Sequence, residues 1–258
     1  MLFIYSVVFI LGLLWGSFCN VCIYRLPGEG NIVNSRSKCR SCNNVIRWFD
    51  NIPLISYIIL QAKCRNCKIN INFRYFFVEL VTALIFLTIF YLYGTTVTTL
   101  LLIILTVFFV IIFFIDLDHF IIPNVLTFPL MIIGFVKSFD PNINLNLFPN
   151  YMESLIGGVF GYILIWGIIT LYMKIRKKEG MGLGDAKLLA AIGFWFGWYS
   201  IPYVIFLSSL SALLVALPSL INKSKSMSTQ IPFGPYLIFG TIGYLIVKNY
   251  FLSILSNF

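Results

Sequence analysis

The chain has 258 residues, of which 60 % are hydrophobic, 17 % aromatic and only 10 % charged, against an apolar share of about 45–50 % in soluble domains. That excess excludes a water-soluble globule. It also makes the net charge of +9 a property of loops beside a lipid bilayer rather than of a nucleic-acid-binding face.

Apolar stretches close to the roughly 20 residues that cross a bilayer recur along the chain, and strict alternation is missing, so an all-α polytopic membrane protein is predicted over a β-barrel. The first stretch is Leu2 to Tyr24. No basic residue precedes it and no small-x-small cleavage site follows, which predicts a retained span rather than a removable signal peptide. After a polar loop at 25–74 come stretches at about 75–93, 97–115, 123–139, 153–173, 186–199, 201–221 and 235–256. The bundle therefore has about eight transmembrane helices, with seven spans and a half-buried helix as a variant, because 186–199 is short for a crossing.

Lys and Arg gather in cytoplasmic loops. An N-terminus outside puts Arg25, Arg36, Lys38, Arg40, Arg47, Lys63, Arg65, Lys68 and Arg74 in the cytoplasm, with Lys174, Arg176, Lys177, Lys178 and Lys187 after the fifth span and Lys223 and Lys225 after the seventh. Only Lys137 and Lys248 fall outside. Three regions follow: a first helix at 1–24, a cytoplasmic loop at 25–74 and a membrane core at 75–258.

The loop holds Cys39-x2-Cys42 and Cys64-x2-Cys67 in two near-repeats, KCRSCNNVI and KCRNCKINI. Such spacing is that of a zinc ribbon, with four thiolates completing a closed tetrahedral site that is structural rather than catalytic. Two disulfides or free thiols are the alternative, which a cytoplasmic location disfavours. Cys19 and Cys22, three apart inside the first span, read as small packing residues, with a second metal site as the sharper alternative.

Only nine acidic residues occur. Glu29, Asp50, Asp140, Glu153 and Glu179 read as solvated, and Glu79 as a snorkelling, capping or functional group near the start of the second span. There remain Asp116 and Asp118 in IDLDHFIIPN, and Asp185 in GMGLGDAKL. With the third span ending at Ile115, Asp116 emerges at its cytoplasmic end, and the helix with Asp185 starts from the same side. Each aspartate alone could cap or hydrate a helix end, and an intramembrane carboxylate also suits a transporter's ion path. A pair at one depth can share a proton and divide general-acid and general-base work toward a peptide bond. Gly182 and Gly184 would let an extended peptide approach Asp185.

GMGLGDAKL resembles the G-x-G-D signature of intramembrane aspartyl peptidases, and IDLDHFIIPN its partner in bacterial type IV prepilin peptidases. GSFCNVCIYRLP at 16–27, the two CxxC pairs, NIPLISY at 51–57 and IPFGPYL at 231–237 fit that family in the same order. Departures are Ala62, Phe76, Cys19 and Cys22, none in the aspartate or cysteine motifs. The resemblance implies catalytic Asp116 and Asp185, with Asp118, Gly182, Gly184 and Lys187 in support and zinc on Cys39, Cys42, Cys64 and Cys67. It further implies a bacterial inner-membrane enzyme of pilus, type II secretion or competence systems, whose active site faces the cytoplasm. Its substrates would be prepilins or pseudopilins, whose basic leader it removes before methylating the new N-terminus with S-adenosylmethionine. The zinc loop would hold the leader or shape its entrance. A peptidase without methyltransferase activity, a non-catalytic assembly protein and a transporter are the alternatives.

Overall fold

The computed structural model describes residues 2–28, 36–140, 147–177, 182–221 and 231–255. Glu29, Glu179, Lys178, Lys223 and Lys225 lie outside the described residues, as do Gly180 and Met181 of the glycine motif. Nine α-helices occur among the described residues: α1 (Leu2–Arg25), α2 (Ile55–Ile59), α3 (Arg74–Tyr93), α4 (Val97–His119), α5 (Asn124–Val136), α6 (Tyr151–Arg176), α7 (Leu183–Phe196), α8 (Ser200–Ile221) and α9 (Gly234–Leu255). Leaving out the short α2, they match the eight predicted stretches. Helices α1, α3, α4, α6 and α8 are long and apolar enough to cross a membrane, whereas α7, at 14 residues, spans only about 21 Å of a core about 30 Å thick. One predicted boundary is corrected: α4 does not stop at Ile115 but continues to His119, because nothing in Asp116-Leu117-Asp118 breaks a helix and the backbone turns only at Phe120, whose φ is 56°.

The chain forms two compact units, residues 1–111 and 112–258. In the first, α1 packs on α3 through glycines four apart. A Cβ at Gly12 would stand 2.6 Å from Ala83 Cα, and one at Gly16 2.7 Å from Glu79 Cα. Small residues at this spacing let two membrane helices approach closely, the main source of helix association in lipid. Asn20, buried on α1, donates through Nδ2 to the Tyr75 carbonyl at 3.0 Å.

In the second unit α7 is the central element, packed against α5, α6, α8 and α9. Leu188, Leu189, Ala191, Ile192 and Trp195 are fully buried. The closest approach is to α6: a Cβ at Gly157 would lie 2.5 Å from the Gly193 carbonyl oxygen, and one at Gly161 2.8 Å from that of Leu189. The C-terminal end of α7 would leave carbonyls unpaired, and other elements supply the donors. Ser154 Oγ donates to Phe194 O at 2.7 Å, and Lys137 Nζ to Trp195 O at 2.9 Å. Trp195 Nε1 in turn donates to Leu130 O of α5 at 2.8 Å. Lys137, placed outside the membrane by charge counting, is thus a buried helix cap, its amine 4.0 Å from the Phe148 ring centroid. Lys248 likewise donates to the Leu147 carbonyl, at 3.2 Å.

Overpacking a close helix contact costs about 1–3 kcal/mol or more. Gly157→Leu is expected to lower the melting temperature of the detergent-solubilised protein sharply, whereas Gly167→Ala, with nothing within 4 Å of the added Cβ, should leave it unchanged or raise it. Equal melting temperatures for the two variants would contradict the packing described.

Candidate active site and four-cysteine loop

Two buried carboxylates lie in the second unit. Asp116, 4 % exposed, occupies the last turn of α4, and Asp185, 8 % exposed, the first turn of α7. They are 69 positions apart in the chain, and the fold brings them close enough for the charge of Asp116 to act on Asp185. Each is reached by a backbone N–H at a helix start. Gly234, the first residue of α9, donates to Asp116 Oδ2 at 2.9 Å. The Asp185 carboxylate turns back toward the Gly182 N–H, the N3 half of a capping box whose other half a glycine N-cap cannot supply. Asp185 is therefore not the N-cap considered from the sequence: Gly182 holds that position, and the carboxylate sits within the first turn, with its own N–H bonded to Gly182 O at 3.2 Å.

Absent side chains shape the surroundings. A Cβ at Gly234 would come 2.8 Å from Asp116 Oδ2 and 3.1 Å from Ile122 Cδ1, and one at Gly184 3.0 Å from Ile122 Cβ. Ile122, buried in the link between α4 and α5, thus sits against both glycines that adjoin the two carboxylates. The N–H and bare α-carbon of Gly234 were not singled out in IPFGPYL. The signal available there was a glycine before a proline at a helix start, which makes a helix boundary legible but not its target.

Asp118 is exposed. Two residues apart on a helix turns a side chain by about 200°, so burial of Asp116 turns Asp118 away from it. Lys187, beside Asp185 in sequence, donates through Nζ to Asn124 Oδ1 at 2.7 Å, joining the starts of α7 and α5.

The first unit carries the cysteines. The two knuckles repeat at an offset of 25 residues: Cys39 N bonds Asn44 O and Cys64 N bonds Ile69 O, both at 2.9 Å, while Asn43 and Lys68 hold the matching positive φ of 55° and 59°. All four sulfurs fall within 4.8 Å of one another, with Cys39 Sγ 3.7 Å from Cys67 Sγ. A tetrahedral zinc with Zn–S bonds of about 2.3 Å requires sulfur–sulfur edges of about 3.8 Å, so the donor set is consistent with structural zinc. Backbone N–H groups of Cys42 and Ser41 pull the Cys39 thiol below its ordinary range, and that of Asn44 does the same for Cys42. At Cys67 the Ile69 N–H acts in that direction too, but burial and the sulfurs of Cys64, Cys42 and Cys39 push it up to about 11. Crowded thiols of this kind ionise together only around a cation.

One acidic residue of this unit departs from expectation, and a second has a specific partner. Asp50 is not simply solvated: Arg65 grips it with Nη2 at 2.7 Å and Nε at 2.9 Å, holding its carboxyl below the usual range. Glu79 is buried, and its Oε2 accepts from the Leu54 N–H at 2.9 Å. Leu54 has φ of 58°, a conformation that a branched residue adopts only where the surroundings impose it.

Residues 10–93 match the family described as Bacterial Peptidase A24 N-terminal domain, and residues 103–217 the Type IV leader peptidase family. Curated relatives named prepilin leader peptidase/N-methyltransferase include one from Pseudomonas aeruginosa, 37 % identical over 88 % of this chain and 85 % of its own. Another, from Aeromonas hydrophila, is 36 % identical over 90 % of this chain and 87 % of its own. A third, from Dichelobacter nodosus, is 32 % identical over 87 % of this chain and 85 % of its own. No solved structure matches the chain. With both halves matched and its relatives covered along most of their length, the chain belongs to the type IV leader peptidase family.

Proposed function

We propose that this inner-membrane protein is an aspartic endopeptidase that removes the basic leader of prepilins or pseudopilins where the leader meets the membrane, then methylates the new N-terminus. The observation that carries the peptidase half is the pair of buried carboxylates, Asp116 and Asp185, each accepting a backbone N–H at a helix start. One carboxylate takes a proton from water as the water attacks the scissile carbonyl. The other donates its proton to that carbonyl oxygen; as the C–N bond breaks, the proton taken from water passes to the leaving amine and the diol hydroxyl returns a proton to the carboxylate that gave one. Gly182 leaves the approach to Asp185 without a side chain, and Gly184 makes room beside it for Ile122. Asp118 tunes the helix end, and Lys187 fixes α7 on α5.

The positive-charge pattern supports an N-terminus outside and a dyad that faces the cytoplasm. On this reading residues 1–24 are the first membrane helix, 25–74 a zinc-binding loop and 75–258 the peptidase core. Zinc on Cys39, Cys42, Cys64 and Cys67 stabilises a loop too small for its own core. S-adenosylmethionine is the methyl donor by kinship alone. No glycine-rich strand–turn–helix cradle occurs among the described residues.

Asp116→Asn and Asp185→Asn should each slow cleavage of a prepilin by roughly 10²–10⁴-fold, the usual share of a general acid or base. Mass spectrometry of the wild-type product shows whether the new N-terminus gains a methyl group. Wild-type rates in either variant would remove the dyad.

Gly234→Ala keeps the N–H but drives a methyl against Asp116 Oδ2. The expected result is a fall in kcat of roughly 10–100-fold at constant KM, since small misplacements of a reacting group cost that much. A change confined to KM would instead assign Gly234 to substrate binding.

Elemental analysis should find a single zinc per chain in the purified protein, released as pH falls because protons displace the metal from thiolates. The Cys39→Ser/Cys42→Ser variant should contain none; retained zinc in that variant would refute the site.

A further inference from the structure

The loop between α1 and α3 exposes more apolar surface than a segment in water should. Trp48 is 81 % exposed, Ile59 69 % and Ile58 65 %, with Ile55 and Phe73 also exposed. These side chains lie in a strongly basic segment, since residues 36–74 hold eight Lys and Arg and one acidic residue, Asp50, which Arg65 already neutralises. A zinc tetrathiolate, with a net charge of −2, leaves the loop positive. One of these side chains, Ile59, shares with Lys63, Arg65 and Lys68 a cleft of about 410 Å³ that Leu60, Gln61 and Cys64 also line.

The depth of the loop is set by contacts to α3. Glu79, in the second turn of α3, holds the N–H of Leu54 just before α2. The Tyr57 ring of α2 packs on Phe76, in the first turn of α3, at 5.4 Å between centroids. Helix α2 therefore lies level with the first turn of a helix that is long and apolar enough to span the membrane. At that level an exposed isoleucine meets the boundary of headgroups and acyl chains, where amphipathic segments with Trp and basic residues bind.

From this we infer that the loop is an interfacial anchor: Ile55, Ile58, Ile59 and Trp48 enter the headgroup boundary, and Lys63 and Lys68 hold the phosphates of anionic lipids. Charge complementarity selects this occupant. A basic leader peptide is repelled by the same cations, which removes the loop as the leader's receptor. The loop sets the level of the bilayer against α1 and α3 and thereby the depth at which this unit meets a membrane-borne substrate. Each Lys or Arg near an anionic surface contributes about 1 kcal/mol of attraction, screened by salt.

The test places the photoreactive residue p-benzoylphenylalanine at position 59, where the side chain is exposed and little packing is lost. The full chain is reconstituted in nanodiscs of phosphatidylethanolamine with or without phosphatidylglycerol, a prepilin is added, and the irradiated products are weighed intact. The expected product is a phospholipid adduct, several-fold more abundant with phosphatidylglycerol. That increment should be lost in 0.5 M salt, and in Lys63→Gln/Lys68→Gln protein that retains its zinc. A main adduct to the prepilin or to a second copy, or none at all, would overturn the anchor, and lipid adducts indifferent to phosphatidylglycerol and salt would overturn the anionic recognition. Cleavage by Asp116 and Asp185 is measured separately, and its loss or survival does not bear on this result.

Discussion

A carboxylate inside an apolar bundle survives only if something replaces the water it has lost. In this protein the replacement is the backbone. Gly234 N–H reaches Asp116 at 2.9 Å and Gly182 N–H reaches Asp185, so each acid meets the start of a helix, where unpaired donors are plentiful and the dipole favours negative charge. No lysine or arginine is needed for the purpose, and none would suit a dyad that has to pass a proton between its members. A cation fixed beside either acid would hold both oxygens ionised.

That arrangement demands that a polar helix start be carried into the bundle, which explains α7. A helix of 14 residues cannot span the bilayer, so its buried end groups must be satisfied within the protein. Gly182 and Asp185 close the first end, while Lys137 and Ser154 close the second. Between them α7 is held by absent side chains, since Gly157 and Gly161 of α6 bring backbone to backbone. The same device, Gly12 and Gly16 against Ala83 and Glu79, joins α1 to α3 in the other unit. Close packing of small residues replaces the hydrophobic effect, which does little between helices in lipid.

The cysteine loop follows a different logic. Its 25-residue repeat reproduces hydrogen bonds as well as sequence, down to the left-handed residues Asn43 and Lys68, so two equal knuckles bring four sulfurs together. Regular secondary structure is sparse: one isolated bridge closes each knuckle, and only short helical turns lie between them. The four-sulfur cluster and the Glu79–Leu54 bond therefore take the place of a core.

Much of this architecture was legible from composition and pattern. Eight apolar stretches became eight helices because hydrophobic length alone decides what can sit in lipid, and the C-x2-C pairs foretold a four-sulfur cluster because thiol spacing sets knuckle geometry. Asp116 and Asp185 stood out because carboxylates are rare in such a chain. Other features depended on partners distant in sequence. The burial of Glu79 beneath Leu54, of Lys137 over Phe148 and at the end of α7, and of Asp50 beneath Arg65 required knowing which backbone group or charge lay opposite. The same holds for Gly234, whose role is a backbone N–H and a missing side chain. Sequence by itself determined the helices, the cysteine knuckles and the candidate acids, since these rest on local composition and spacing. Only the tertiary structure decided which buried polar group meets which donor, because that pairing is made across 15 to 118 positions of chain.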